Sequence, residues 1–243
     1  MTTTNLLPPA VHDALLDAAA ILLPVRCAGC AAPDRAVCDR CSLALEAHPS
    51  RTELGSLGVW AALDYEGVAR AVLLAYKERG RTDAAPALAA ALRPAVVAAQ
   101  REHAAVTAAT AATAETADPR PSARGSALLP VLIPSTRQAW RTRGYHPTGL
   151  VLARSRILVP PLWHALRLTR QTADQAGMSG AARAANREAS MVASPRLRGR
   201  ACLLVDDIVT TGATLLEAAK AIRSAGGTVA GAAAIARTPL RSG

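Results

Sequence analysis

The chain has 243 residues and a formal net charge of +10, enough length for one sizeable α/β domain with a small module attached. No apolar run reaches the roughly 18 to 20 residues of a membrane span; the nearest, Ala14 to Val25, is interrupted by Asp17 and Pro24. The first residues lack the early basic charges of a signal peptide, so a cytoplasmic protein is the expectation. The charge is unevenly placed. Between Pro134 and Arg200 twelve arginines face only Asp174 and Glu188, and this segment carries the whole excess. A GC-rich coding bias accounts for arginine over lysine, since Lys77 and Lys220 are the only lysines. It does not account for the clustering, which points to a polyanionic partner.

In chain order, Pro9 to Leu22 reads as a modest amphipathic helix. Cys27 and Cys30, then Cys38 and Cys41, form paired CxxC knuckles separated by seven residues. Four thiolates at this spacing close a tetrahedral metal site, and Gly29 permits the tight turn that points two sulfurs at one ion. Structural zinc is the expectation; free or redox-active cysteines are the alternative. Cys202, inside an apolar run, reads as an inert core residue. Val59 to Tyr65 reads as a strand, and Gly67 begins a helix whose Val68, Val72 and Tyr76 share a face. That helix ends at Lys77-Glu78-Arg79-Gly80 with basic charge and glycine, and Lys77 reads equally as a solvated helix end.

Asp83 to Ala117 is alanine-rich, punctuated by Pro86 and Pro94, and predicts one or two helices. The Pro/Ser/Gly-rich run 118–126 reads as a surface loop. Leu128 to Ile133 is the next buried strand. It is followed by a basic loop, Ser135 to Pro147, and a helix beginning near Thr148. Arg137, Arg141 and Arg143 in that loop suit bidentate contacts to pyrophosphate. Leu162 to Leu168 reads as another strand, Gln171 to Ser190 as a polar loop or surface helix, Pro195 to Arg200 as a basic turn, and Thr228 to Ala236 as the last strand.

The most informative stretch runs from Leu203 to Thr214. An apolar strand ends in the adjacent carboxylates Asp206 and Asp207. A small hydroxyl-rich loop, Thr210, Thr211, Gly212, Ala213 and Thr214, then enters a helix carrying Leu215, Leu216, Ala219 and Ile222 and stopped by Gly226 and Gly227. Such a loop offers unpaired N–H groups and a positive helix end to an anion. The carboxylates repel phosphate, but they accept from sugar hydroxyls or hold a divalent cation. Together these chemistries describe a ribose 5-phosphate pocket. No P-loop or GxGxxG fingerprint is present.

This stretch resembles the 5-phosphoribosyl 1-pyrophosphate (PRPP) motif of type I phosphoribosyltransferases. With the paired CxxC, Arg143-Gly144-Tyr145-His146-Pro147-Thr148, and the residues Gln175, Met178, Arg183 and Asn186, nearly the whole chain resembles the ComF family of competence-associated proteins. His146 stands where that family more often has Asn or Asp, and Leu132-Ile133-Pro134 where it commonly has Pro-Val-Pro. The resemblance implies an α/β fold, an open parallel sheet flanked by helices, over residues 51–243. It implies a zinc-ribbon-like module with its helix over residues 1–50. It places Asp206 and Asp207 at the ribose hydroxyls in a catalytic role, and 210–214 at the 5-phosphate. Arg137, Arg141, Arg143 and Gly144 fall near pyrophosphate, and Gln175, Arg183 and Asn186 on a lid. It also implies Mg²⁺ beside structural zinc. Two functions follow from it: transfer of a phosphoribosyl group to an unidentified acceptor with release of pyrophosphate, or a non-catalytic part in DNA uptake beside single-stranded DNA and a helicase.

Overall fold

The computed structural model describes residues 25–113, 128–158, 161–162, 164–169 and 191–239. The helix expected over Pro9 to Leu22, the loop at 118–126 and the stretch Gln171 to Ser190 lie outside the described residues. In chain order the elements are α1 (Asp39–Leu43), β1 (Ser50–Leu54), β2 (Leu57–Asp64), α2 (Gly67–Glu78) and α3 (Ala85–Thr113). They continue with β3 (Leu129–Leu132), α4 (Arg137–Arg143), α5 (Pro147–Ser155), β4 (Leu166–Leu168), β5 (Met191–Ala193), β6 (Ala201–Val209), α6 (Ala213–Ser224) and β7 (Thr228–Arg237).

Five strands form the main sheet in the order β1-β2-β7-β6-β3. The β2–β7, β7–β6 and β6–β3 pairs are parallel and β1–β2 is antiparallel, so the sheet is open and mostly parallel, as the resemblance implied. Its central strands carry continuous apolar runs because both faces are covered. One layer packs α2, α3 and α5 on Leu203, Val205 and Ile235, with Leu73, Tyr76, Leu88, Leu92 and Val151 contributing. The opposite layer packs α6 and the β4–β5 pair on Cys202, Leu204 and Ala232, through Leu215, Ile222, Leu166 and Met191.

Local chemistry explains the elements. In α2, Ala69, Val72, Leu73 and Tyr76 are buried, the i, i+3, i+4, i+7 stripe of a helix lying on a sheet. The alanine-rich segment forms a single 29-residue helix with Pro94 inside it, after a short 3₁₀ turn at Thr82–Ala84. Alanine's helix propensity and the burial of Leu88, Leu92, Ala95, Val96 and Ala99 along one face outweigh the proline. Glu102 pins this helix to the sheet edge by accepting from Arg51 Nε at 2.8 Å and Trp60 Nε1 at 2.6 Å.

Three expectations need correcting, and one strand has no counterpart in the sequence reading. The basic loop is largely helical: Thr136 Oγ1 accepts from the Ala139 N–H, and Gly144 at φ +73° ends the helix α4, so a cap and a left-handed stop supply what periodicity did not show. The strand expected over Leu162 to Leu168 is three residues long and pairs with β5 in a separate two-stranded sheet. The central strand does not end at the carboxylates; it runs on to Val209 against β7. Finally β1, whose burial alternates without reaching full burial, lies at the sheet edge, where alternation of Arg51 and Glu53 with Thr52 gives little hydrophobic signal.

Candidate functional site

Pairing of β6 with β3 stops at Val205, while Asp206, Ile208 and Val209 stay paired with β7. The two aspartates therefore sit where the strand has lost one neighbour and kept the other, a position that opens a crevice at the carboxyl end of a parallel sheet. Asp206 Oδ1 accepts from the Asp207 N–H at 2.8 Å. Asp207 lies 2.9 Å, by its Oδ2, from Lys77 Nζ, with side-chain exposures of only 13% and 23%. Burial, then the Asp207 charge, pushes the Asp206 carboxyl up to about 7, against the opposing pull of Lys77. Within the pair, Lys77 holds one charge in place and the other carboxyl tends to keep its proton, as expected of crowded carboxyls that share one cation.

Beyond Val209 the chain bends through Thr210 and Thr211 to Gly212, which caps α6 at φ +74°. Thr210, Thr211, Ala213 and Thr214 are exposed. Gly212 makes no side-chain cap, its carbonyl accepts from the Leu216 N–H, and the Ala213 N–H makes a long contact of 3.4 Å to Thr211 Oγ1. The first turn of α6 thus presents weakly used donors at the positive end of a twelve-residue helix. Glycine is favoured at 212 on two counts. The backbone is left-handed, and an added Cβ would run into Leu54 Cδ1 of β1.

The other wall comes from earlier in the chain. A cleft of about 360 Å³ opens between the end of α2 and α4, bordered by Lys77, Glu78, Gly80, Thr136, Gln138 and Arg143. Arg143 is anchored there: its Nε donates to the Lys77 carbonyl and its guanidinium pairs with Glu78 at 2.9 Å. Tyr145 Oη donates to the Tyr76 carbonyl, and Tyr76 Oη to the Pro147 carbonyl, tying the α4–α5 connection to α2. Arg141 and Trp140 are exposed, and neither borders the cleft; coiling the basic segment into a helix parts Arg141 from Arg143. The Arg137 side chain, Gln175, Arg183 and Asn186 lie outside the described residues.

His146 is the N-cap of α5. Its Nδ1 accepts from the Gly149 N–H and its Nε2 lies 3.0 Å from the Ile133 carbonyl, so the ring is neutral with the proton on Nε2. Burial holds its pKa below the usual value. An acceptor here does what Asn or Asp does at an N-cap.

The four thiols of Cys27, Cys30, Cys38 and Cys41 offer ligand atoms all within 4.8 Å of one another, with Cys30 and Cys38 Sγ 3.6 Å apart. Tetrahedral zinc at about 2.3 Å from each sulfur needs S···S separations of about 3.8 Å, so drawing in the wider pairs by about 1 Å at most would seat that ion among the four sulfurs. Burial opposes ionisation of Cys27, but N–H groups of Cys38, Cys30 and Gly29 bring it down to about 6. Burial and the neighbouring thiols push Cys41 the other way. A Cβ on Gly29 would lie 2.7 Å from Cys41 Sγ and 3.1 Å from Val68 of α2, so the knuckle sits directly on the domain. Cys202 is buried, and burial raises its thiol to about 11, consistent with an inert core role.

Lys77 is the site residue that sequence reasoning left undecided. Its signal was indirect: one of two lysines in an arginine-rich chain, in the last turn of the helix that follows β2. No described helix is long and apolar enough to cross a membrane. Residues 150–241 match the family model described as a phosphoribosyl transferase domain. That span holds Asp206, Asp207 and the 210–214 loop, whereas Lys77, α4 and the four cysteines lie before it. No curated protein gives a match to the chain.

Proposed function

We propose that the chain binds PRPP or a related phosphoribosyl ligand. Asp206 and Asp207 accept from the ribose hydroxyls, residues 210–214 with the first turn of α6 hold the 5-phosphate, and the pyrophosphate lies toward the cleft edged by Lys77 and Arg143. The observation that carries this is the adjacency of an acidic pair and an under-used helix N-terminus at one strand end, within the matched span. Carboxylates alone reject phosphate and helix donors alone do not select ribose. The two side by side select a sugar phosphate.

As a transferase, the reaction would break the C1–oxygen bond to pyrophosphate while a nitrogen nucleophile bonds to C1, with positive charge growing on the ring. Residues of this chain then bind, orient and exclude water. The Asp207 carboxylate holds the ribose, and the α6 N–H groups fix the phosphate end so that C1 is presented toward the cleft. Hard carboxylate oxygens suit Mg²⁺, which when bound with the ligand would neutralise pyrophosphate charge. The finer assignment to the ComF family rests on the paired CxxC and on the 143–148 segment.

The test is calorimetric titration with PRPP and Mg²⁺. The Asp206→Asn/Asp207→Asn variant keeps size but weakens the ribose acceptors, and should lose about 1.5 to 3 kcal/mol per charged hydrogen bond removed while inorganic phosphate still binds the loop. Undiminished PRPP affinity in that variant would remove the assignment. A screen of nitrogen acceptors for pyrophosphate release then separates transferase from ligand sensor. A second reading, a part in DNA uptake, draws on exposed Trp140 and Arg141, a stacking ring beside a cation. It requires single-stranded DNA affinity that falls steeply with salt.

A further inference from the structure

The Lys77–Asp207 contact has two features of an exchangeable partner. The ammonium rides on a flexible four-carbon stem, while the backbone it hangs from is held by Arg143 donating to the Lys77 carbonyl at 2.9 Å. Lys77 also borders the cleft of about 360 Å³, so its head can turn from Asp207 into open space without any movement of α2. The other cation among the described residues of the cleft wall, Arg143, is engaged by Glu78. Asp207 is buried beneath the ammonium, 2.9 Å from it, and Asp206 is folded onto the Asp207 N–H. A divalent cation approaching the acidic pair therefore meets a carboxylate already neutralised.

We propose that Lys77 is a resident countercharge that keeps divalent cations off Asp207 until an anion in the adjoining cleft takes over its ammonium. The identity of that anion as a phosphoribosyl ligand rests on the function proposed above; the block on the cation does not. Leaving Asp207 unpaired is costly in a largely desolvated position, so the exchange proceeds only when the incoming ligand supplies both a negative group for Lys77 and hydroxyls or a cation for Asp207. Cation binding and ligand binding are thereby coupled in order: the free protein ignores the metal, and the ligand admits it.

Two measurements on the full, zinc-replete chain test this. Mn²⁺ is titrated without any ligand and followed by electron paramagnetic resonance. Lys77→Met should bind Mn²⁺ at least tenfold tighter than the parent, Lys220→Met should match the parent, and adding Asp207→Asn to Lys77→Met should abolish the gain. Equal Mn²⁺ affinity in parent and Lys77→Met overturns the proposal. The second measurement needs no substitution and covers a misfolded Lys77→Met. With lysine labelled at Cε, the chain gives only two side-chain signals, from Lys77 and Lys220. Pyrophosphate with Mg²⁺ should shift the Lys77 signal and leave Lys220 in place, while Mg²⁺ alone should move neither; saturable pyrophosphate binding in the presence of Mg²⁺ with an unmoved Lys77 signal overturns the exchange. Failure of PRPP to bind the parent would instead count against the proposed function, since the Mn²⁺ comparison contains no phosphoribosyl ligand.

Discussion

Gly212→Ala isolates the physical demand at the mouth of α6. Position 212 has φ +74°, a conformation that costs an L-residue about 1 to 2 kcal/mol. The new methyl would also run into Leu54 Cδ1 and lie 3.1 Å from its Cδ2 and Cγ. Because these atoms end a flexible side chain on an edge strand, the chain can relieve the clash by displacing Leu54, and overpacking of this kind costs about 1 to 3 kcal/mol. The variant should therefore lose between about 2 and 5 kcal/mol, the upper end applying where Leu54 cannot move. Urea unfolding read by far-ultraviolet circular dichroism measures this. Repeating the substitution in a Leu54→Ala background separates the two costs. There the penalty should shrink to the conformational share of about 1 to 2 kcal/mol. An unchanged urea midpoint for Gly212→Ala would refute both arguments, and equal penalties in the two backgrounds would refute the steric one. A loop that has lost its left-handed cap should also lose inorganic phosphate binding.

His146→Asn keeps an N-cap acceptor and should stay within about 1 kcal/mol of the parent at pH 7, whereas His146→Ala should cost about 1 kcal/mol. Because burial lowers the folded-state pKa of His146, its contribution is present above the unfolded value and is lost as pH falls through the folded one; thermal melts below pH 6 should decline less for His146→Asn than for the parent. Asp206 behaves oppositely. Burial and the Asp207 charge raise its folded pKa to about 7, well above the ordinary carboxyl range, so its contribution is full below about pH 4 and is lost as pH rises to 7, and melts of Asp206→Asn should flatten across that window. Elemental analysis of protein purified without chelators should give one zinc per chain, and Cys38→Ser should lower that content and expose the N-terminal module to proteolysis while phosphate binding persists.

Much of the architecture was legible because its signals are local. The apolar runs at Leu203 and Thr228, and the Val72–Tyr76 stripe, predict elements that need no distant partner. The acidic pair and the Thr-rich loop were legible as chemistry because hard acceptors beside small hydroxyl residues have few other uses. What stayed hidden depends on through-space neighbours. Whether β6 stops at Asp206 is decided by β3 and β7, one of which quits at Leu132 while the other continues. The helix α4 owes its start and stop to single residues, Thr136 and Gly144, inside a segment whose arginines read as loop. Lys77 belongs to the site only because α2 ends over the end of β6, a relation separated by 130 residues of chain.

The helix α2 also carries a mechanical argument. Its first turn touches the cysteine knuckle, where Val68 Cγ1 lies 3.1 Å from the place a Gly29 Cβ would occupy. Its last turn presents Lys77 to Asp207 and its carbonyl to Arg143. At 1.5 Å per residue, twelve residues make a rod of about 18 Å. Val72, Leu73 and Tyr76 are wholly buried along it, so bending it to absorb a displacement at one end would cost packing against the sheet. Tyr76 and Tyr145, with ring centroids 6.0 Å apart and hydroxyls bonded to opposite sides of the joint, lock the far end to the α4–α5 connection. Close packing of this kind transmits a shift instead of dissipating it. The cysteine knuckle, remote from the acidic pair in sequence, thus bears on the placement of Lys77 through one stiff, buried element.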